Sequence, residues 1–220
     1  VYIKQFFNII CINNILIKNE HNGKEKKEEK TINNLKINIK AIAERLNDLK
    51  HNLPDLLNTT EANQALFKIN KYNELFNPLD ESLQVEIDSF NNYINRIEAD
   101  INCLLSVIKG DMVLIDKYRN MIKYINKNII PREWYLSKYP PQNKEIKIDD
   151  WVKRITKIYE FFNNWIYEGY SKVYNLSYFS NERLFLTLLP VYFQKKLPEG
   201  KISSDKVKLH FKLTKYEKEE

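Results

Sequence analysis

The stretch from Leu79 to Gly110, LDESLQVEIDSFNNYINRIEADINCLLSVIKG, decides the fold. Leu79, Leu83, Ile87, Phe90, Ile94, Ile97, Ile101, Leu104 and Ile108 recur at spacings of three and four, so a 3.6-residue helix gathers them on one stripe. The pattern predicts a helix of about eight turns. Gly110 is expected to close it in a left-handed conformation, which costs a residue without Cβ nothing. The carboxylates Asp80, Glu81, Glu86, Asp88, Glu98 and Asp100 are read as the solvated side of this helix.

Outward from that helix the same periodicity returns. Ile115, Tyr118, Ile122, Ile125 and Ile129 predict a second helix that Pro131 ends, and the two are expected to pair antiparallel. Upstream, Leu35, Ile39, Ile42, Leu46, Leu49 and Leu53 form a stripe stopped by Pro54. Asn58 and Glu61 are spaced as a capping box for a short helix through Leu66, Ile69 and Phe76. Downstream, Pro131 to Ile146 (PREWYLSKYPPQNKEI) holds three prolines and is expected to run extended, pinned by Trp134 and Tyr139.

Asp149 and Asp150 are placed to cap a helix whose one face is Trp151, Ile155, Ile158, Phe162 and Trp165, with Gly169 as its stop. Val173 to Phe179 (VYNLSYF) is rich in β-prone residues and predicts a short strand. Ser180 is a candidate cap for a last helix through Leu184 and Leu188, and Pro190 predicts a kink or an early end. Val207, Leu209, Phe211 and Leu213 alternate with Lys206, Lys208, His210 and Lys212, as in a half-buried strand with a basic wet face. The fold class is therefore mainly α: an antiparallel long-helix bundle with one or two short β-strands near the C-terminus.

Residues 1–31 read differently. Val1 to Ile17 is apolar, but Lys4, Gln5, Asn8, Asn13 and Asn14 interrupt it well short of the ~20 apolar residues a membrane helix needs. It is taken as a helix or strand buried by its neighbours, in a segment of something longer that begins at Val instead of Met. Asn19 to Thr31 (NEHNGKEKKEEKT) has too little apolar surface to offset its ordering entropy and is read as a charged linker. Residues 32–220 make the main domain.

Composition excludes several functions. A hydrophobic fraction of 43% and eleven Phe, fourteen Tyr and three Trp support a folded core. The four glycines lie far apart, so no phosphate-cradling loop can be built and no cofactor is expected. Cys11 and Cys103 lack partners at metal-ligand spacing and are read as buried thiols; His21, His51 and His210 are read as surface or edge residues. The net charge of +6 arises from interleaved signs and not from a basic cluster beside exposed aromatics, so neither nucleic acid nor membrane is expected as a partner. Ser177 and Ser180 have no nearby His to activate them, Asp149 and Asp150 suit capping better than a metal, and Trp151, Phe162 and Trp165 suit a core better than a ligand cleft. No catalytic or metal site emerges.

Four ordered segments resemble the C-terminal domain of dynein heavy chains. Leu104 to Ile115 (LLSVIKGDMVLI) is similar to the family's Ile-Lys-Gly and apolar run, here Ile108, Lys109 and Gly110. Ile130 to Pro141 (IPREWYLSKYPP) is similar to its Val-Pro, Trp and Ser-Tyr-Pro sequence, through Trp134, Tyr139 and Pro140. Trp151 to Gly169 resembles a family helix through Trp151, Arg154, Trp165 and Gly169. Val173 to Lys196 resembles a Phe-Trp-Leu-Ser-Gly-Phe-Phe and Phe-Leu-Thr sequence through Leu176, Ser177 and Phe179, with Tyr178 in place of Gly and Pro190 unusual in the helix. The likeness runs from about Ala41 to Leu213, and its motif forms are closer to axonemal than to cytoplasmic forms of the motor.

The resemblance implies a non-catalytic structural and regulatory segment packing on the AAA+ ring of a microtubule motor. The ATP sites would lie in upstream modules, and the family's β-rich half would continue past Val207 to Leu213. Its partners would be the rest of the heavy chain, the intermediate and light chains of the complex, and microtubules through the motor. Its location would be the cytoplasm and cytoskeleton, including the axoneme or cilium. A free-standing helical adaptor that binds partner helices is the alternative. In the ring-bound case, the stripe on the long helix is expected to be incompletely covered by this chain.

Overall fold

The computed structural model describes residues 26–58, 60, 78–135, 139, 146–171 and 173–196. Among them are six α-helices and one 3-10 turn: α1 (Lys26–Asn52), α2 (Pro78–Lys109), α3 (Asp116–Asn126), α4 (Arg132–Tyr135), α5 (Ile148–Glu168), the turn Leu176–Tyr178, and α6 (Glu182–Lys196). The mainly helical fold expected from periodicity is present. The protein divides into two compact units, Val1–Leu57 with Ser89–Ser171, and Asn58–Asp88 with Lys172–Glu220, so α2 contributes to both.

The stripe on α2 is covered. Leu79, Leu83, Ile87, Phe90, Ile94, Ile97, Ile101 and Leu104 are all buried, and each removes apolar area worth ~1.5 to 3 kcal/mol. From Leu79 to Leu104 this overturns the expectation of an incompletely covered stripe. At its end Val107 is buried and Ile108 only half-buried, because the helix turns its last face slightly ahead of a strict alternation. Gly110, at φ +86°, then closes α2 in a Schellman arrangement, with Gly110 N–H on the Val107 carbonyl at 3.1 Å and Asp111 N–H on that of Ser106 at 2.9 Å.

In the first unit, α1 buries Ile42, Leu46 and Leu49 and ends ahead of Pro54, as its stripe predicts. It begins at Lys26, inside the segment read as linker, because Lys and Glu are good helix formers even without apolar burial. α3 buries Met121, Ile122 and Ile125 but stops at Asn126, short of Ile129. The cause is Asn128 at φ +57°: its N–H reaches the Ile125 carbonyl at 3.0 Å and that of Ile129 reaches Tyr124 at 2.9 Å, a second Schellman closure built on Asn. Ile129 then bridges to Lys147 in antiparallel fashion.

Three local expectations change in the remaining elements. Arg132–Tyr135 forms one helical turn after Pro131 instead of running extended, opened by the Trp134 N–H on the Pro131 carbonyl at 3.1 Å. Asp149 and Asp150 lie within the first turn of α5, where negative charge meets the helix dipole; the N-cap is Lys147 and makes no side-chain bond. Val173–Phe179 is not a strand. Asn175 accepts the Ser177 N–H at 3.1 Å and its hydroxyl at 2.9 Å, and this local bonding winds Leu176–Tyr178 into the 3-10 turn.

The second unit holds that turn, the N-terminal part of α2, and α6. Asn181, not Ser180, caps α6, its Oδ1 accepting the Leu184 N–H at 3.2 Å. α6 also continues through Pro190 to Lys196 instead of ending there. Val1 to Ile17, the short helix through Leu66, Ile69 and Phe76, Pro140, and the strand at Val207 to Leu213 lie outside the described residues. Of the capping-box pair only Asn58 is described; its Oδ1 accepts the Thr60 N–H at 3.0 Å.

Candidate functional site

α2 carries three parallel rows of buried positions, and one of them is Leu79, Glu86, Tyr93, Asp100 and Val107, spaced by seven. Two members of that row are acids. Glu86, Asp100 and the nearby Asp80 are buried, which corrects their assignment to a solvated face; Glu81 and Asp88 are exposed and Glu98 is half-buried, in keeping with it. A carboxylate is held out of water only where donors meet it, and for Glu86 and Asp100 the donors come from segments distant in sequence.

In the first unit, Asp100 accepts from Lys117 Nζ at 2.5 Å and from the Trp134 indole Nε1 at 3.2 Å. Trp134 is fully buried against Trp151, ring centroids 5.7 Å apart. The Trp151 indole in turn donates to the Tyr93 hydroxyl at 3.3 Å. Tyr139 packs edge-on against Tyr93 at 5.2 Å and Phe90 at 6.2 Å. It does so at φ +52°, a left-handed conformation that costs a residue with Cβ ~1 to 2 kcal/mol. Trp134, Tyr139 and Trp151, three of the residues singled out by resemblance, thus meet around one buried acid and one buried phenol.

Burial raises the Tyr93 phenol well above its ordinary value, against smaller opposing effects of the Trp151 hydrogen bond and the Arg96 and Arg154 charges. Tyr118 is pushed up to about 12, first by its hydrogen bond with Cys103, then by desolvation and the charges of Cys103 and Asp100. Cys103 is a half-buried free thiol, more exposed than the sequence suggests. Both phenols are therefore held in their neutral, hydrogen-bonding form at neutral pH.

The other residues singled out by resemblance occupy helix ends, the 3-10 turn and a second cluster. Trp165 is buried beside Phe161, Phe162 and Tyr170, with ring centroids 6.1 to 6.4 Å away. Gly169 ends α5 at φ +91° and ψ −160°, a region open essentially to glycine alone, and its N–H bonds the Trp165 carbonyl at 3.1 Å. Lys109 is exposed beside Gly110. Leu176 is half-buried, Ser177 exposed and Phe179 buried. Tyr178, which the resemblance sets in place of a Gly, keeps a negative φ because the 3-10 turn needs no left-handed residue.

The acid partners were not legible as such. A signal existed in the seven-residue row: Leu79, Tyr93 and Val107 are apolar, so Glu86 and Asp100 fall at buried phase. What the row lacks is any mark of the distant donors.

An open groove of about 860 Å³ lies between α1 and α5 in the first unit. Both of its walls carry both signs, Glu44, Asp48 and Arg45 on α1 and Asp149, Glu160, Lys153 and Lys157 on α5, so it favours neither sign of ligand. Among the described residues no group of three or more His, Cys, Asp or Glu side chains could hold a metal ion. His51 is exposed, as expected, while His21 and His210 lie outside the described residues. No helix among those residues is long and apolar enough to cross a membrane.

The family model for the C-terminal domain of dynein heavy chains matches residues 6–220. Dynein axonemal heavy chain 6 of Homo sapiens is 26% identical over 152 residues, covering 69% of this sequence. Dynein axonemal heavy chain 1 of Homo sapiens is 25% identical over 171 residues, covering 77%. Dynein heavy chain-like protein 2 of Plasmodium falciparum is 26% identical over 200 residues, covering 88%. In each case the match spans only 4% of the relative's own length. With the family model matching nearly the whole sequence, the protein belongs to the family formed by the C-terminal domains of dynein heavy chains.

Proposed function

We propose that this protein is a non-catalytic structural and regulatory part of a dynein heavy chain, a microtubule-based motor, and that it packs against the motor's AAA+ ring. The family match over residues 6–220 carries the reading. The internal chemistry supports it: the buried polar groups at Asp100, Tyr93, Trp134 and Trp151 are engaged with one another, and such a satisfied network rigidifies a scaffold. In this reading α2 and α3 pair antiparallel, a β-rich part includes Val207 to Leu213, and the signature residues are structural. The intermediate and light chains and microtubules are reached through the parent motor, in the cytoskeleton and the cilium.

A dynein heavy chain truncated before its C-terminal domain tests this directly, with the present protein supplied in trans. Co-purification with the AAA+ modules and no ATP turnover by the 220-residue protein alone are expected. ATP hydrolysis by the purified protein at a motor's rate would overturn the non-catalytic assignment. Failure to associate with any AAA+ module, together with capture of an unrelated helical partner, would favour a free-standing adaptor.

A further inference from the structure

Glu86 is one per cent exposed, yet neither of its oxygens is idle. Oε2 accepts the Ser180 N–H at 2.7 Å and Oε1 accepts the Asn181 N–H at 2.8 Å. These two amides stand where the backbone leaves the 3-10 turn and enters α6, ahead of a helix start whose first N–H groups have no partner within the helix. A charged acceptor taking two backbone amides is stronger than neutral pairing and aims both donors at once.

Attachments within the same segment add to these two. Asn175 holds the 3-10 turn through the Ser177 N–H and hydroxyl, and Asn181 caps α6 through the Leu184 N–H. Phe185 packs with tilted rings against Phe179, centroids 4.5 Å apart, and against Tyr174 at 4.8 Å. Pro190 has no N–H to offer the Leu186 carbonyl; Val191 and Phe193 are exposed and Tyr192 is the buried residue. The two bonds to Glu86 differ from the local ones in reach, since they tie this segment to a residue 94 and 95 positions away.

We infer that Glu86 is a clamp that makes residues 174–189 a single local-opening unit. With both oxygens engaged, the signature turn and the first two turns of α6 are docked together. Loss of the carboxylate releases them together, uncovering Phe179 and Phe185, while the first unit stays closed. Proteins open in contiguous cooperative units below the global unfolding free energy, and a bond that joins two neighbouring elements sets the bounds of such a unit. The clamp is independent of the motor assignment, since it concerns the protein's own opening equilibrium.

Hydrogen exchange read by mass spectrometry on the whole 220-residue protein decides the matter. In E86Q, which keeps one acceptor and the side-chain shape, amides of residues 174–189 are expected to exchange about tenfold faster or more, with 93–107 unchanged. N181A, which removes only the cap, is expected to accelerate exchange at 182–186 and leave 174–180 alone. Unchanged exchange over 174–189 in E86Q, or equal acceleration there and at 93–107, overturns the clamp. So does an N181A profile that reproduces that of E86Q, because the cap would then govern the unit.

Discussion

Asp100 shows how much one residue fixes. Its carboxylate is buried, and it serves an ammonium and an indole from different elements. Removing it strands the Trp134 N–H in an apolar setting, so Asp100→Ala is expected to lower the unfolding free energy by about 3 kcal/mol, while Asp100→Asn, which keeps an acceptor for the indole, should lose about half as much. The Lys117 side chain is 43% exposed, so Lys117→Ala should cost less, about 1 kcal/mol, chiefly for leaving the buried Asp100 carboxylate short of a donor. Urea melts of the three variants check the ranking. Tyr93 adds a pH dependence. Its folded pKa is raised above the ordinary 10.0, so its stabilising contribution is fully present below about pH 10 and is lost as pH climbs through the higher folded value. Stability should therefore fall on going from about pH 9 to pH 11, and less steeply in Tyr93→Phe.

At the scale of elements, the closures are where backbone chemistry is decided. Gly110 and Asn128 both end helices at positive φ, but only the first is the residue that position prefers. Gly110→Ala should cost about 1 kcal/mol, and Asn128→Gly should be neutral or slightly stabilising; thermal melts followed by circular dichroism distinguish the two. Pro190 sits inside α6 without a donor, so Pro190→Ala should raise stability by about 1 to 3 kcal/mol. The same contrast explains what could be read in advance. The stripes of α1, α2 and α5 were legible because burial imposes a period on many residues at once. The end of α3 was not, because Asn128 competes with a continuing apolar pattern through its own conformation. Nor was the turn at Leu176–Tyr178, where the Asn175 side chain outweighs the β preference of Val173, Tyr174 and Tyr178. Glu86 and Asp100 were misplaced for a different reason: a carboxylate on a helix looks solvated until the amide or indole that meets it arrives from elsewhere.

For the molecule as a whole, burial of the α2 stripe changes the expected behaviour of the isolated protein. A helix with an uncovered apolar face would aggregate; one with Leu79 to Leu104 buried should give a helical, cooperative urea transition without flanking sequence. A non-cooperative melt with dye binding to exposed apolar surface would contradict this. Independent folding then says nothing against ring packing, and association with AAA+ modules is the discriminating measurement. The 32 residues of α2, roughly 48 Å at about 1.5 Å each, also constrain how the sequence changes length over time. Inserting one residue near its middle would swing everything beyond by about 100°, turning half of the buried rows toward water. Lineages should tolerate insertions and deletions in the connecting segments, but within Pro78–Lys109 only in steps near seven or eleven residues, which bring the face back to within about 20°.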